Sequence, residues 1–284
     1  MLADRRQQAF LYEVLEKSYL MKKPNNLLAT FIFLCLASFS QLAAQKIVWE
    51  DNFDGNSLDY SKWECEQNAF GGGNNELQMY TDRQLNVRVE NGNLILEARK
   101  ENTEIAGTIR NFSSARIRSK NRGDWMYGRF DIRAKLPSGQ GIWPAIWMLP
   151  TDEKYGDWAS SGEIDIVEFK GNEPNKLHTT LHFGGKWPNN LFKTNVFEAT
   201  KDLTLDFHTY SLDWRKNKMT WFLDDKEVFS TSRWESDKGP YPAPFDQRFH
   251  LLLNVAVGGG FGGPVADDTP FPAQMHIDFV RVSN

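Results

Sequence analysis

From residue 46 onward, apolar and polar residues alternate in short runs separated by Gly, Asn, Asp and Pro. Successive side chains of a strand point to opposite faces, so this alternation predicts half-buried strands rather than helices. Strands are expected at Leu94 to Ala98, Ser114 to Arg118, Gly128 to Ala134, Thr179 to Phe183, Thr209 to Trp214, Met219 to Leu223 and Phe249 to Val257. Glu90-Asn-Gly-Asn93 and Leu223-Asp-Asp-Lys226 are turn signals, both flanked by strand-like runs. No internal repeat, low-complexity tract or domain-sized linker interrupts the series. Many short strands with turn-rich gaps predict an all-β sandwich or barrel, one domain spanning residues 45 to 284.

The first 44 residues follow another pattern. Met21-Lys-Lys23 precedes an apolar run from Leu27 to Leu36 and a small-residue exit at Ala43-Ala44. A basic start, a short apolar stretch and small residues predict a signal peptide over 21–44, cleaved near Ala44. The run is about half of the ~20 residues that a membrane span needs. Residues 1–20 are expected to be a non-native upstream extension or disordered. The reading is therefore of a secreted protein, extracellular or periplasmic, with no membrane association after cleavage and a monomeric state. A net charge of −4 argues against a nucleic-acid partner. Of two cysteines, Cys35 falls in the leader, so no internal disulfide is expected. Aromatic residues make up 13% of the chain, enough for a large core or for a surface that stacks on flat ligands.

The candidate chemistry lies in Ser161-Gly-Glu163-Ile-Asp165-Ile-Val-Glu168-Phe-Lys170. Period two puts Glu163 and Asp165 on one face and Ile164 and Ile166 on the other. Glu168 is out of phase, and burying it on the isoleucine face would be costly. A β-bulge at Ile166-Val167 would return Glu168 to the acidic face, and that bulge is expected. Glu163 and Glu168 would then stand about 13 Å apart at Cα, at ~3.3 Å per residue. Side chains leaning inward would bring the carboxyls to about 6 Å, near the ~5–5.5 Å of retaining glycosidases, with the ~6.5–9.5 Å of inverting ones also within reach. Three acids so close cannot all ionise cheaply, which suits acid/base chemistry. A solvated polar face is the competing reading; a transition-metal cluster is less favoured, because the strand holds no His. Trp143 and Trp147, four apart, share a face, and spacing alone favours a core role for both.

Glu163-Ile-Asp165-Ile-Val-Glu168 resembles the catalytic signature of glycoside hydrolase family 16, in the bulged form of laminarinase-type endo-β-1,3-glucanases. Matches run through most of the chain after residue 47: Val48 to Gly55, Asn74 to Thr81, Gly141 to Pro150, Leu177 to Phe183, Leu253 to Gly259 and Ile277 to Val282. The resemblance implies a β-jelly-roll sandwich of two antiparallel sheets with a substrate cleft on the concave face. It implies Glu163 as nucleophile, Glu168 as acid/base and Asp165 between them, tuning their shared protonation, with no cofactor for catalysis. The implied partner is a β-glucan such as laminarin, or a mixed β-1,3/1,4 chain. Trp143, Trp147 and Trp125 become candidates for sugar stacking. Arg116, Asn75, Glu76, His182 and Asn254 become candidates for hydroxyl recognition. A structural Ca2+ is implied at the Asp278 side chain and the Gly92 carbonyl, with Asn52 where many members carry Glu. An agarase-type galactan hydrolase of the same fold and a non-catalytic glucan-binding protein are the alternatives; the presence of both Glu163 and Glu168 favours turnover.

Overall fold

The computed structural model describes residues 46–284. The expected signal peptide at 21–44 and the extension at 1–20 lie outside the described residues. Two sheets face each other in the layering of a β-jelly roll. One has the order β16 (Lys226–Thr231), β15 (Lys218–Leu223), β14 (His208–Arg215), β9 (Gly128–Lys135), β18 (Ala273–Ser283), β5 (Asn93–Ile105), β6 (Thr108–Ser114) and β3 (Gln78–Tyr80). In it, β1 (Ile47–Asp51) pairs with β18 and β4 (Val87–Glu90) with β5. The other has the order β13 (Leu191–Glu198), β12 (Lys176–Phe183), β11 (Glu163–Glu168), β10 (Ile142–Pro150), β17 (Phe249–Val257), β7 (Arg116–Arg118) and β2 (Glu64–Cys65), with β8 (Asp124–Trp125) beside β17. Helix among the described residues amounts to a 3-10 turn at Gly71–Gly73 and the four-residue α1 (Gly259–Gly262).

The alternation read from the sequence has its cause in the core between the sheets. Leu94, Leu96, Phe130, Ile132, Leu212 and Trp214 point inward from the first sheet. Ile146, Met148, Ile164, Leu181, Leu251 and Leu253 meet them from the second. Burying each large apolar side chain contributes about 1.5–3 kcal/mol, which is why strands such as β9 alternate buried and half-buried positions. The two expected turns close two-residue hairpins with positive φ at both central positions, Asn91 and Gly92 in one, Asp224 and Asp225 in the other. Such turns match the twist of the strands they join.

The structure differs from the expected elements in two places. The run Ser114 to Arg118 is not one strand: β6 ends at Ser114 in one sheet, and β7 begins at Arg116 in the other. The chain changes layers at Ala115, and both halves stay apolar-in, so the pattern hides the break. The sheets are also not wholly antiparallel, because β3 runs parallel to β6.

The expected bulge is present. Ile146 and Trp147 of β10 are consecutive, yet they oppose Val167 and Asp165 of β11, leaving Ile166 as the extra residue. Ile164, Ile166, Val167 and Phe169 all enter the core, so Glu163, Asp165 and Glu168 emerge together on the outer face. At the bulge, the Asp165 carbonyl accepts a hydrogen bond from the indole N–H of Trp221 on the opposite sheet, at 2.9 Å. A buried carbonyl left without a donor costs roughly 1–3 kcal/mol. Trp221→Phe should therefore destabilise the protein by about 2–4 kcal/mol, the lost bond plus the space left by the smaller ring. Chemical denaturation checks this; a loss under about 1 kcal/mol would show that the bulge does not depend on that donor.

Candidate active site

Cross-strand pairing assembles the site from side-chain rows that cross the outer face. In the first row, Glu163 of β11 is opposite His182 of β12, which is opposite Phe192 of β13. In the second, Trp147 of β10, Asp165 of β11, Thr180 of β12 and Thr194 of β13 stand side by side. In the third, Arg116 of β7, Asn254 of β17, Ala145 of β10, Glu168 of β11 and His178 of β12 are aligned. Strands β7, β10, β11, β12 and β17 present their other face to the core, and the edge strand β13 touches it only through Phe197. The rows therefore inherit a rigid support.

Most of the expected site residues meet here. Trp147 donates its indole N–H to Asn254 Oδ1 at 2.7 Å. Arg116 binds the Glu66 carboxylate through Nε at 2.8 Å and through its terminal nitrogen. Its guanidinium also lies over Tyr80, Phe70 and Trp147, at 4.9, 5.4 and 5.9 Å from the ring centres. Those contacts engage the guanidinium as a brace for the Trp147 wall. Glu76 joins the same side: it accepts from Gln78 Nε2 at 2.6 Å and from the Tyr80 hydroxyl at 3.3 Å. Asn75 is exposed beside it, with φ +60°. Trp143 faces the acids as expected, but Phe261 of α1 packs on it at 5.0 Å and leaves it only 7% exposed. Little of its ring remains free for stacking.

Trp125 is placed elsewhere. It pairs with Phe249 at the far end of β17 and packs edge-on against Trp49 and Phe130. Its apolar surface serves the core margin, so it forms no wall of the acidic face. Sequence reading missed Trp158, whose indole N–H donates to Glu163 Oε2 at 2.9 Å. It also missed Glu66, the partner of Arg116, along with Phe192 and Phe261. Trp158 lies on a loop without periodicity, and Glu66 is distant in sequence from Arg116. No local signal distinguishes either residue.

The implied calcium donors do not fit a cation as they stand. Asp278 Oδ2 is ion-paired with Arg133 at 2.6 Å, and Asn52 Oδ1 accepts from Arg281 at 2.9 Å. Gly92 sits at the tip of the β4–β5 turn. Guanidinium groups already engage one Asp278 oxygen and the Asn52 side-chain oxygen, and calcium wants six to eight oxygens. Among the described residues, metal-capable atoms gather instead at Glu163, Asp165 and His182.

Burial raises all three acids. Glu163 is pushed up to about 8, mainly by burial and further by the nearby Glu168; the Trp158 hydrogen bond and the Arg116 charge oppose the rise. Glu168 is pushed up to about 7 by burial, against the pull of Trp143, Thr180 and Lys170. Asp165, whose Oδ2 has no hydrogen-bond partner, is raised well above the usual carboxylate range by burial and by its two neighbours. His182 is pushed down to about 4 by burial and is neutral at pH 7. Its Nε2 lies 3.7 Å from Glu163 and 3.5 Å from Asp165. The set thus holds protons at neutrality that free carboxyls would have lost.

That retention has a sign. A folded carboxyl with a raised pKa contributes stability at low pH that is lost as pH climbs from its unfolded value through its folded one. Here the window runs from about 4.5 to about 8. The buried histidines, with lowered values, act in the opposite direction, so the comparison must be between variants. Relative to the native chain, Glu168→Gln should gain melting temperature steadily between pH 5 and pH 7 and keep that gain above it. A difference that does not change with pH would remove the buried-acid account.

The chain matches the family model "Glycosyl hydrolases family 16" over residues 74–280. It is 42% identical to a beta-glucanase of Rhodothermus marinus, covering 84% of this chain and 84% of that protein. It is 39% identical to glucan endo-1,3-beta-glucosidase A1 of Niallia circulans, over 85% of this chain but only 38% of that longer protein. The X-ray structure of the laminarinase from Rhodothermus marinus superposes with a TM-score of 0.76 at 40% identity, covering 84% of this chain and 97% of that one. With its paired glutamates brought to one face by a single inserted residue, this chain belongs to glycoside hydrolase family 16.

Proposed function

We propose that the protein is a retaining endo-β-1,3-glucanase that cleaves internal bonds of laminarin-type glucans and also accepts mixed β-1,3/1,4 chains. The observation that carries this reading is the bulge at Ile166, which sets Glu163 and Glu168 on one face with Asp165 between them. The likeness to laminarinase-type relatives supports the choice of glucan. The leader read at 21–44 supports export of the mature domain.

The chemistry follows from the protons. Neighbouring acids this close titrate as a set, so the first proton lost leaves one negative charge to be shared among them. A glycosidic oxygen is an acceptor only, so a sugar chain seated against Glu168 selects the arrangement with the proton on Glu168. The charge then rests on Glu163, where the Trp158 N–H and the nearby Arg116 favour it. Glu163 attacks the anomeric carbon while Glu168 gives its proton to the departing oxygen. Glu168, now ionised, takes a proton from water, and the resulting hydroxide character displaces Glu163 from the sugar. Burial and the two neighbouring acids both oppose ionisation of Asp165, which disfavours a third charge beside the nucleophile. Neutral His182 presents Nε2 to both acids without pinning either as a salt bridge.

Release of reducing sugar from laminarin, lichenan and agarose tests the reading. Laminarin should be cleaved fastest and agarose not at all; cleavage of agarose alone would move the protein to the galactan hydrolases. Glu163→Gln should lower kcat on laminarin by roughly 10³-fold or more while binding persists, since it deletes the attacking oxygen but preserves shape. Full activity in that variant would refute the nucleophile. The pH dependence of kcat/KM should have its acid limb well above the usual carboxylate range, in keeping with the raised acids.

A further inference from the structure

The outer face does not stop at the catalytic strand. Phe192 extends the Glu163–His182 row on β13, the edge strand, and its ring lies 6.1 Å from that of His182. It is 62% exposed and so open to contact from outside the fold. Two residues on, Thr194 extends the Asp165–Thr180 row and accepts a hydrogen bond from the Thr180 hydroxyl at 3.1 Å. Beyond these two side chains a groove of about 550 Å³ opens between β13 and β16, the edge strands of the two sheets. Phe192, Thr194, Phe229, Ser230 and Arg233 line it. Among the described residues, the Arg233 guanidinium has no carboxylate partner.

Flat rings beside hydroxyls and a free guanidinium are the chemistry that suits a pyranose, whose faces are apolar and whose rim is hydroxyl. The groove is also continuous with the acidic face through Phe192 and Thr194. From Arg116 on β7 to Thr194 on β13 the face spans six strands, about 24 Å at the usual ~4.8 Å spacing. A chain bound across the strands at Glu163 and Glu168 is therefore led toward this groove.

We infer that the β13–β16 groove is a distal glucan-binding subsite, which holds sugar residues of the same polysaccharide chain beyond the scissile bond, with Phe192 as the stacking platform at its entrance. This rests on the glucanase reading above and extends it: the enzyme grips long chains on the β13 side of the cut. Arg233 and Thr194 hydrogen-bond sugar hydroxyls there, and Phe229 forms the inner wall.

The test is kcat/KM on β-1,3-linked gluco-oligosaccharides of increasing length, for the native protein, Phe192→Ala, Phe192→Trp and Arg233→Ala. The native kcat/KM should climb with length. The loss caused by Phe192→Ala and by Arg233→Ala should grow with length, about tenfold greater on the longest chain than on the shortest. Phe192→Trp should restore the dependence, because it returns an aromatic face. A loss equal at all lengths, or none, overturns the subsite. Affinity electrophoresis in laminarin separates the two readings. If the native protein is retarded without cleaving, the glucanase reading fails, and the subsite stands or falls on whether Phe192→Ala relieves the retardation.

Discussion

Glu168 could not follow Ile164 and Ile166 in register without placing a carboxylate in a hydrocarbon core, at a cost of several kcal/mol. The inserted Ile166 removes that conflict by sending two consecutive residues, Ile166 and Val167, inward. The shape of the catalytic face depends on this local fault. It is held from the opposite sheet by Trp221, whose indole N–H satisfies the Asp165 carbonyl. The bulge thus couples the two sheets at the point where the chemistry sits.

The same arrangement sets the protons. The acids stand on a strand whose other side is the core, so they are dehydrated, and each dehydrated carboxyl resists ionisation. In solution, two glutamates and an aspartate would all be charged at pH 7. Here they share protons, and a donor and a nucleophile coexist within one strand. Neutral His182 and the Trp158 indole orient this set without quenching it. The protein accepts a less stable site above mildly acidic pH in exchange for acids poised near neutrality.

The far side of the face is built differently. Arg116 is fixed by Glu66, which follows β2, and by three aromatic rings, so Trp147 gains a stiff backing. A charged residue that looked like a ligand for sugar hydroxyls is largely committed to its own protein. Phe261 likewise covers Trp143, which leaves Trp147 and its bond to Asn254 as the more open wall. Two guanidiniums, Arg133 and Arg281, engage side-chain oxygens of Asp278 and Asn52.

The sequence by itself determined strands within β5, β9, β12, β14, β15 and β17, two turns, and the bulge, because each rests on local chemistry: period-two burial, turn-forming residues, and one glutamate out of phase. The six-residue acidic segment also pointed to its family without further help. Tertiary structure decided what depends on which strands become neighbours. Only sheet order brings Phe192 into the Glu163 row and takes Trp125 to the core margin. Only the crossing at Ala115 divides a continuous apolar-in run between two layers. Loop-borne Trp158 and distant Glu66 complete the site through contacts that no periodicity encodes, since hydrogen bonds between remote segments leave no trace in local spacing.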